Sequence, residues 1–214
     1  MGNIKLEFVG PFGWSENRGV PNIFDSPLAT ETGVYLWTVQ TRNGDELVFY
    51  IGQTGVGFGE RFKEHYQSQS DGSYRIYNPA TFILGQKELL WGGIYGDYKE
   101  PPEDFQNRFA RVKPIVPRFL EILRFHLAPI SAVQASGMQP IEFLNRVEAA
   151  LAYAFYFQPG IVSALLEGDV QYLEKSRLGT RRLRNLEWPP PDATTRILIT
   201  SQTKIRGLPE EVLV

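Results

Sequence analysis

The sequence predicts an α+β fold: a small, mostly antiparallel three-stranded sheet flanked by helices, with N- and C-terminal extensions. Three observations carry this expectation. Two strand-like runs, Gly33 to Thr41 and Leu47 to Gln53, flank Arg42-Asn43-Gly44-Asp45, and Asn-Gly between apolar-rich runs is the strongest short signal for a hairpin. A later strand-like run, Leu89 to Tyr95, is available to complete the sheet. Gln139-Pro140 then opens a long helical pattern, Ile141 to Phe157, which stops at Pro159-Gly160.

The elements follow in order. Ile4 to Val9 reads as an opening strand, followed by a loop rich in Pro, Gly and Asn that leads through Pro27 to Thr32 into the hairpin. A glycine-rich turn, Gly52 to Gly59, enters a short helix over Glu60 to Gln67. Ser68 to Ser73 is polar, and Thr81 to Leu84 is strand-like. Pro101-Pro102-Glu103-Asp104 has the proline and acids of a helix start, and a helical pattern runs from there towards Leu127, broken near Pro114 and Pro117. Trp188-Pro189-Pro190-Pro191 breaks the chain again before a strand-like Thr195 to Thr200.

Composition bounds the function. A length of 214 residues suits a single domain, residues 1–214, with a substantial core. Hydrophobic content of 43% and charged content of 21% are ordinary for a globular protein. No apolar run approaches the roughly eighteen residues needed to cross a membrane. Met1 to Glu7 lacks the basic segment and apolar core of a signal peptide, and Leu6 stands where a myristoylation signal requires Ser or Thr, so a cytoplasmic protein is expected. The absence of cysteine excludes disulfides, thiolate metal sites and a cysteine nucleophile. With His65 and His126 as the only histidines, any metal is held mostly by oxygen, which favours magnesium or manganese.

A net charge of −2 and a pI near 5.8 give no bulk attraction for nucleic acid, but phosphate contacts depend on where cations sit. Cations cluster at Lys175, Arg177, Arg181, Arg182 and Arg184, interrupted by Gly179-Thr180. This run is either a DNA-backbone contact or a solvated helix face.

The chemistry-bearing residues gather around the hairpin. Folding it brings Tyr35 and Tyr50 onto neighbouring antiparallel strands, while Arg61 and His65, four apart on the next helix, project together. Two phenols, a guanidinium and an imidazole suit chemistry on a phosphate. On the late helix, Ile141, Leu144, Leu151 and Phe155 form an apolar stripe opposite Glu142, Asn145, Arg146, Ala149 and Tyr153, and Glu148 falls inside the apolar one. A carboxylate there needs a partner: a metal, a hydrogen-bond network, or a core salt bridge to Arg61 or Arg146. The Gly52 to Gly59 loop lacks the Gly-Lys-Ser/Thr ending of a nucleotide-triphosphate loop and reads as a turn whose backbone amides can approach a nucleic-acid phosphate.

At Gly33-Val34-Tyr35 and Tyr50-Ile51-Gly52, with Arg61 and His65 behind them, the chain resembles the GIY-YIG nuclease superfamily. Val34 replaces the Ile of the first motif, and the Arg61-to-His65 spacing is similar to that of the restriction-endonuclease branch. The resemblance covers Thr32 to Gln67 and one later helix; Gly93-Ile94-Tyr95 is a decoy with no second motif after it. It implies a core over about 30–160 with an insertion at about 68–138, an N-terminal extension 1–29 and an arginine-rich C-terminal extension 161–214. The implied activity is metal-dependent DNA endonuclease cleavage, and a chain of this size without zinc fingers looks most like the restriction type. Tyr35 then serves as general base with His65 assisting, Tyr50 orients water or phosphate, Arg61 clamps the scissile phosphate, and Glu148 holds Mg2+ or Mn2+ near the leaving 3′ oxygen. DNA is the implied partner, with a homodimer by analogy. The family often adds an asparagine after the glutamate-bearing helix, whereas Gln158 to Ser163 has none and Asn185 is distant. The alternatives are a non-catalytic DNA-binding or scaffold protein on the same fold, and a repair or mobile-element nuclease.

Overall fold

The computed structural model describes residues 3–16, 19–94, 102–130, 138–157 and 193–214. In chain order the elements are β1 (Asn3–Phe12), β2 (Gly33–Gln40), β3 (Glu46–Thr54), α1 (Phe58–Ser70), β4 (Ile76–Tyr77), α2 (Pro79–Phe82) and β5 (Leu89–Trp91). They continue with α3 (Pro102–Val112), α4 (Val116–Ile122), β6 (Leu123–Pro129), α5 (Pro140–Phe157), β7 (Arg196–Ser201) and β8 (Glu211–Leu213). The fold is α+β, built on a strongly curled six-stranded mixed sheet of order β3-β2-β6-β1-β7-β8, with β4 and β5 forming a separate two-stranded sheet.

The expected hairpin is present. Gly44 sits at φ +87°, which a side chain resists, and its N–H donates to the Thr41 carbonyl at 2.9 Å. Tyr35 lies opposite Gly52 and Trp37 opposite Tyr50. A bulge follows Trp37, so one residue of β3 goes unmatched and both Phe49 and Tyr50 lean on the same side of the sheet as Trp37.

The sheet differs from the three-stranded expectation because distant segments enter it. The strand beside the hairpin is β6, from the region read as helix and as part of an insertion. Its Leu123, Phe125 and Leu127 alternate with Arg124 and His126, a period of two that fits a strand. β1, from the presumed N-terminal extension, pairs with β6 on one side and runs parallel to β7 on the other. The presumed C-terminal extension supplies β7 and β8. The run Leu89 to Tyr95 yields β5, which pairs with β4 outside the main sheet. Thr81 to Leu84, read as strand-like, falls at α2 instead: Asn78 caps it by accepting from the Ala80 N–H, and Pro79 opens it.

Two cores flank the sheet. On one side Val34, Leu36 and Ile51 pack with Phe143, Leu144, Val147, Leu151 and Phe155 of α5. On the other, Tyr35, Trp37 and Phe49 join Trp14, Phe58, Phe62, Phe119 and Phe125 in an aromatic core. Burying each large apolar side chain contributes about 1.5–3 kcal/mol, so α1 and α5 are held chiefly by these faces. Among the described residues no helix is long and apolar enough to cross a membrane.

Candidate active site

Helix α1 sets the site's position. Phe58, Phe62, His65 and Gln69 are its buried stripe, at the i, i+4, i+7, i+11 spacing of one helix face. His65 therefore enters the aromatic core, 1% exposed, and its Nε2 lies 2.7 Å from the Tyr35 hydroxyl. Tyr35 is 0% exposed. Its ring occupies space that a side chain at residue 52 would need: a Cβ on Gly52 would stand 2.5 Å from the phenol carbon and hydroxyl. Gly52 thus lets the Tyr35 ring cross β3, a physical reason for glycine opposite this tyrosine.

Arg61 lies beside the buried stripe, its side chain 26% exposed, and pairs with Glu64 at 2.6 Å. An ion pair that exposed is worth at most about 1 kcal/mol, so it restrains Arg61 only weakly. Tyr50 is half-buried, with its ring 6.2 Å from Tyr35 and 5.9 Å from His65. Tyr74, which carried no sequence signal, adds a third phenol, its ring 5.7 Å from His65.

The electrostatics connect these groups. Burial raises the Tyr35 pKa above the ordinary phenol value; Arg61 opposes the rise, while the negative charge of Glu148 adds to it. Burial also raises Tyr50, reinforced by Tyr35 and Glu148. Burial, then the charge of Arg61, pushes the His65 pKa down to about 3. Burial disfavours the Arg61 charge, but Tyr35, Glu64 and Tyr50 outweigh it and raise that pKa. At neutral pH Tyr35 and Tyr50 are therefore protonated, His65 is a neutral imidazole and Arg61 a fixed cation. The Nδ1 of His65 has no hydrogen-bond partner among the described residues. If Nε2 accepts from Tyr35, that orphan nitrogen carries the ring proton.

Glu148 comes to the cluster from α5 on the other side of the sheet, close enough for its charge to act on both Tyr35 and Tyr50. It is half-buried, and the apolar stripe around it is rotated from the expected one. Ile141 is 48% exposed and Ala149 is buried, with Val147, Ala150 and Leu151 facing inward. Glu148 therefore borders the core. Ile141 packs near Gly55, and the Gln53 Nε2 donates to Asn145 Oδ1 at 3.1 Å, so one strip of α5 lies along the end of β3. Arg146 reaches Glu142 at 3.3 Å.

Among the described residues no group of three or more His, Cys, Asp or Glu side chains could hold a metal. Glu148 would be the protein's carboxylate ligand, with water and substrate phosphate oxygens completing the shell. Magnesium accepts such a set, because it dehydrates reluctantly and is often bound through one or two carboxylates plus phosphates. His126 does not join the cluster. It projects from β6 opposite Leu36, 3.7 Å from Glu46, on the α5 side of the sheet. Lys175, Arg177, Arg181, Arg182 and Arg184 lie outside the described residues, as do Asn185 and Gln158 to Ser163. Comparison with protein-family models, curated proteins and solved structures finds no match.

Proposed function

We propose that the chain is a metal-dependent DNA endonuclease of GIY-YIG type, acting on a phosphodiester at Tyr35. The single observation that carries this reading is the convergence of Tyr35, Tyr50, Arg61, His65 and Glu148, from four elements, on one hydrogen-bonded phenol–imidazole pair. Each residue alone has an ordinary structural explanation; their joint placement beside a fixed cation suits phosphate chemistry.

In this reading the phosphate displaces Glu64 from Arg61 and takes its bidentate guanidinium contact. That exchange also changes His65. Burial and, after it, the Arg61 charge depress the imidazole in the free protein; a bound phosphodiester offsets the second of these, which makes His65 a better proton acceptor than in the free protein. Tyr35 passes its proton to His65 Nε2 as it accepts one from the attacking water, and Tyr50 orients that water or the phosphate. Glu148 would hold a divalent cation, Mg2+ or Mn2+, which would supply positive charge to offset the negative charge developing on the leaving oxygen. Cutting both strands calls for two such sites, which a homodimer provides. The arginine-rich segment from Lys175 to Arg184 supplies further backbone contacts.

A second reading has its own observation. Tyr35 and His65 are almost completely buried, which suits a non-catalytic DNA-binding or scaffold protein on the same fold. Incubating the purified chain with plasmid and oligonucleotide DNAs in Mg2+ or Mn2+, then mapping the ends, separates the two. Discrete metal-dependent ends support the nuclease; binding without any cleavage favours the scaffold.

A further inference from the structure

We propose that a surface cavity separate from the Tyr35 cluster binds a nucleobase carrying a phosphate. The cavity has a volume of about 510 Å³ and lies where the loop after β1, the hairpin turn, α1 and α4 meet. Small-molecule sites typically span about 300–1,000 Å³, lined by aromatic groups with a few polar ones. Trp14, Phe24 and Tyr66 line this one, with Leu120 beside them and with Arg42 and Glu121 contributing opposite charges.

The charges favour a nucleotide over a purely apolar guest. Arg42 and Glu121 are both exposed, line one cavity, and form no ion pair with each other or with any other described residue. A ligand presenting an anion to Arg42 and an amino group to Glu121 spans them. A phosphate and the exocyclic amine of a nucleobase are such a pair. Arg124 also lines the cavity, but it is committed to Glu46 and Gln40 at 2.8 Å each, leaving Arg42 as the cation for the phosphate. The planar base has one matching surface. Trp14 is buried and meets Tyr66 edge to face with ring centroids 5.5 Å apart, which leaves Tyr66, 45% exposed, as the ring that offers a stacking face.

The cavity is close to the candidate active site. Trp14 packs on Trp37 at 5.6 Å, Trp37 packs on His65 at 4.9 Å, and Tyr66 follows His65 in α1. A base swung out of bound DNA is one source of such a ligand, and a free nucleotide is the other. The base-and-phosphate chemistry is the same whether it comes from a free nucleotide or from DNA. Occupancy is read by binding alone, so its failure and the failure of the cleavage reading are distinguishable.

The test titrates the full chain with dAMP, dCMP, dGMP and dTMP, following tryptophan fluorescence and calorimetric heat. A parallel titration uses a duplex containing 2-aminopurine, in buffer without divalent cations. At least one monophosphate should quench saturably, and deoxyribose 5-phosphate should not compete. Arg42→Ala and Tyr66→Ala, both at exposed positions, should each weaken binding about tenfold. If free nucleotides do not bind but 2-aminopurine emission rises on the duplex and is lost in Tyr66→Ala, the ligand is a base from DNA and the site stands. Absence of both signals, or signals unchanged in both variants, overturns the proposal.

Discussion

Acidification should destabilise this protein through His65, by an amount the structure sets. The unfolded chain takes up a proton at this histidine near its ordinary pKa of 6.5, whereas the buried ring does so only near pH 3. Between those values the unfolded state holds more protons, so stability is full above pH 6.5 and falls as pH falls. Each pH unit in this window withdraws about 1.4 kcal/mol per proton, which amounts to about 2 kcal/mol between pH 6.5 and pH 5. Glu46, the buried acid held below its usual value, does not confuse this window. Burial works against its charge, but His126, Thr38 and Arg124 outweigh it, so its contribution is lost only as pH falls below 4.5. Urea unfolding at pH 7.5, 6 and 5 measures the effect. His65→Gln removes the titrating ring, keeps a polar side chain near Tyr35, and should flatten the dependence between pH 6.5 and 5 even if its baseline stability is lower. Parallel curves for the parent and the variant would refute the burial and neutrality assigned to His65.

Gly52→Ala places a methyl 2.5 Å from the Tyr35 phenol and should cost about 1–3 kcal/mol in urea unfolding; a neutral result would remove the packing argument for Gly52. Arg61→Ala should weaken DNA binding about tenfold or more while also impairing cleavage, because one guanidinium serves both the bound phosphate and the transition state; retained binding and cleavage would free Arg61 of that role. Replacing Arg181 and Arg182 with alanine should weaken binding across sequences and lower the log–log salt slope by up to about two units; an unchanged slope would return the cluster to a solvated face.

The hairpin and both main helices were legible because their signals are local. Asn43-Gly44 marks the turn, the glycine-rich run ending at Gly59 marks the approach to α1, and Gln139-Pro140 opens α5. The sheet was not legible beyond the hairpin. The pairing of β1 with β7 joins opposite ends of the chain, and no local pattern encodes it. β6 was obscured because proline-interrupted helical periodicity runs almost up to it, although Leu123 to Leu127 alternates as a strand should. At the site, motif order brought Tyr35, Tyr50, Arg61 and His65 into view. Their depth of burial, the role of Tyr74, and the Gln53–Asn145 link depended on tertiary packing. Glu148 was visible as a misplaced carboxylate, but the helix is rotated so that Ile141 faces outward and Glu148 borders the core.

The most direct test of phosphodiester cleavage at this cluster is single-turnover kinetics of purified parent, Glu148→Gln and Tyr35→Phe chains on one DNA substrate in Mg2+. The parent should produce discrete ends that disappear in chelator. Glu148→Gln should lose the metal-dependent rate by about two orders of magnitude or more while remaining folded. Tyr35→Phe should retain folding and DNA binding but lose the chemical step. Cleavage that persists unchanged in either variant, or in excess chelator, contradicts the account.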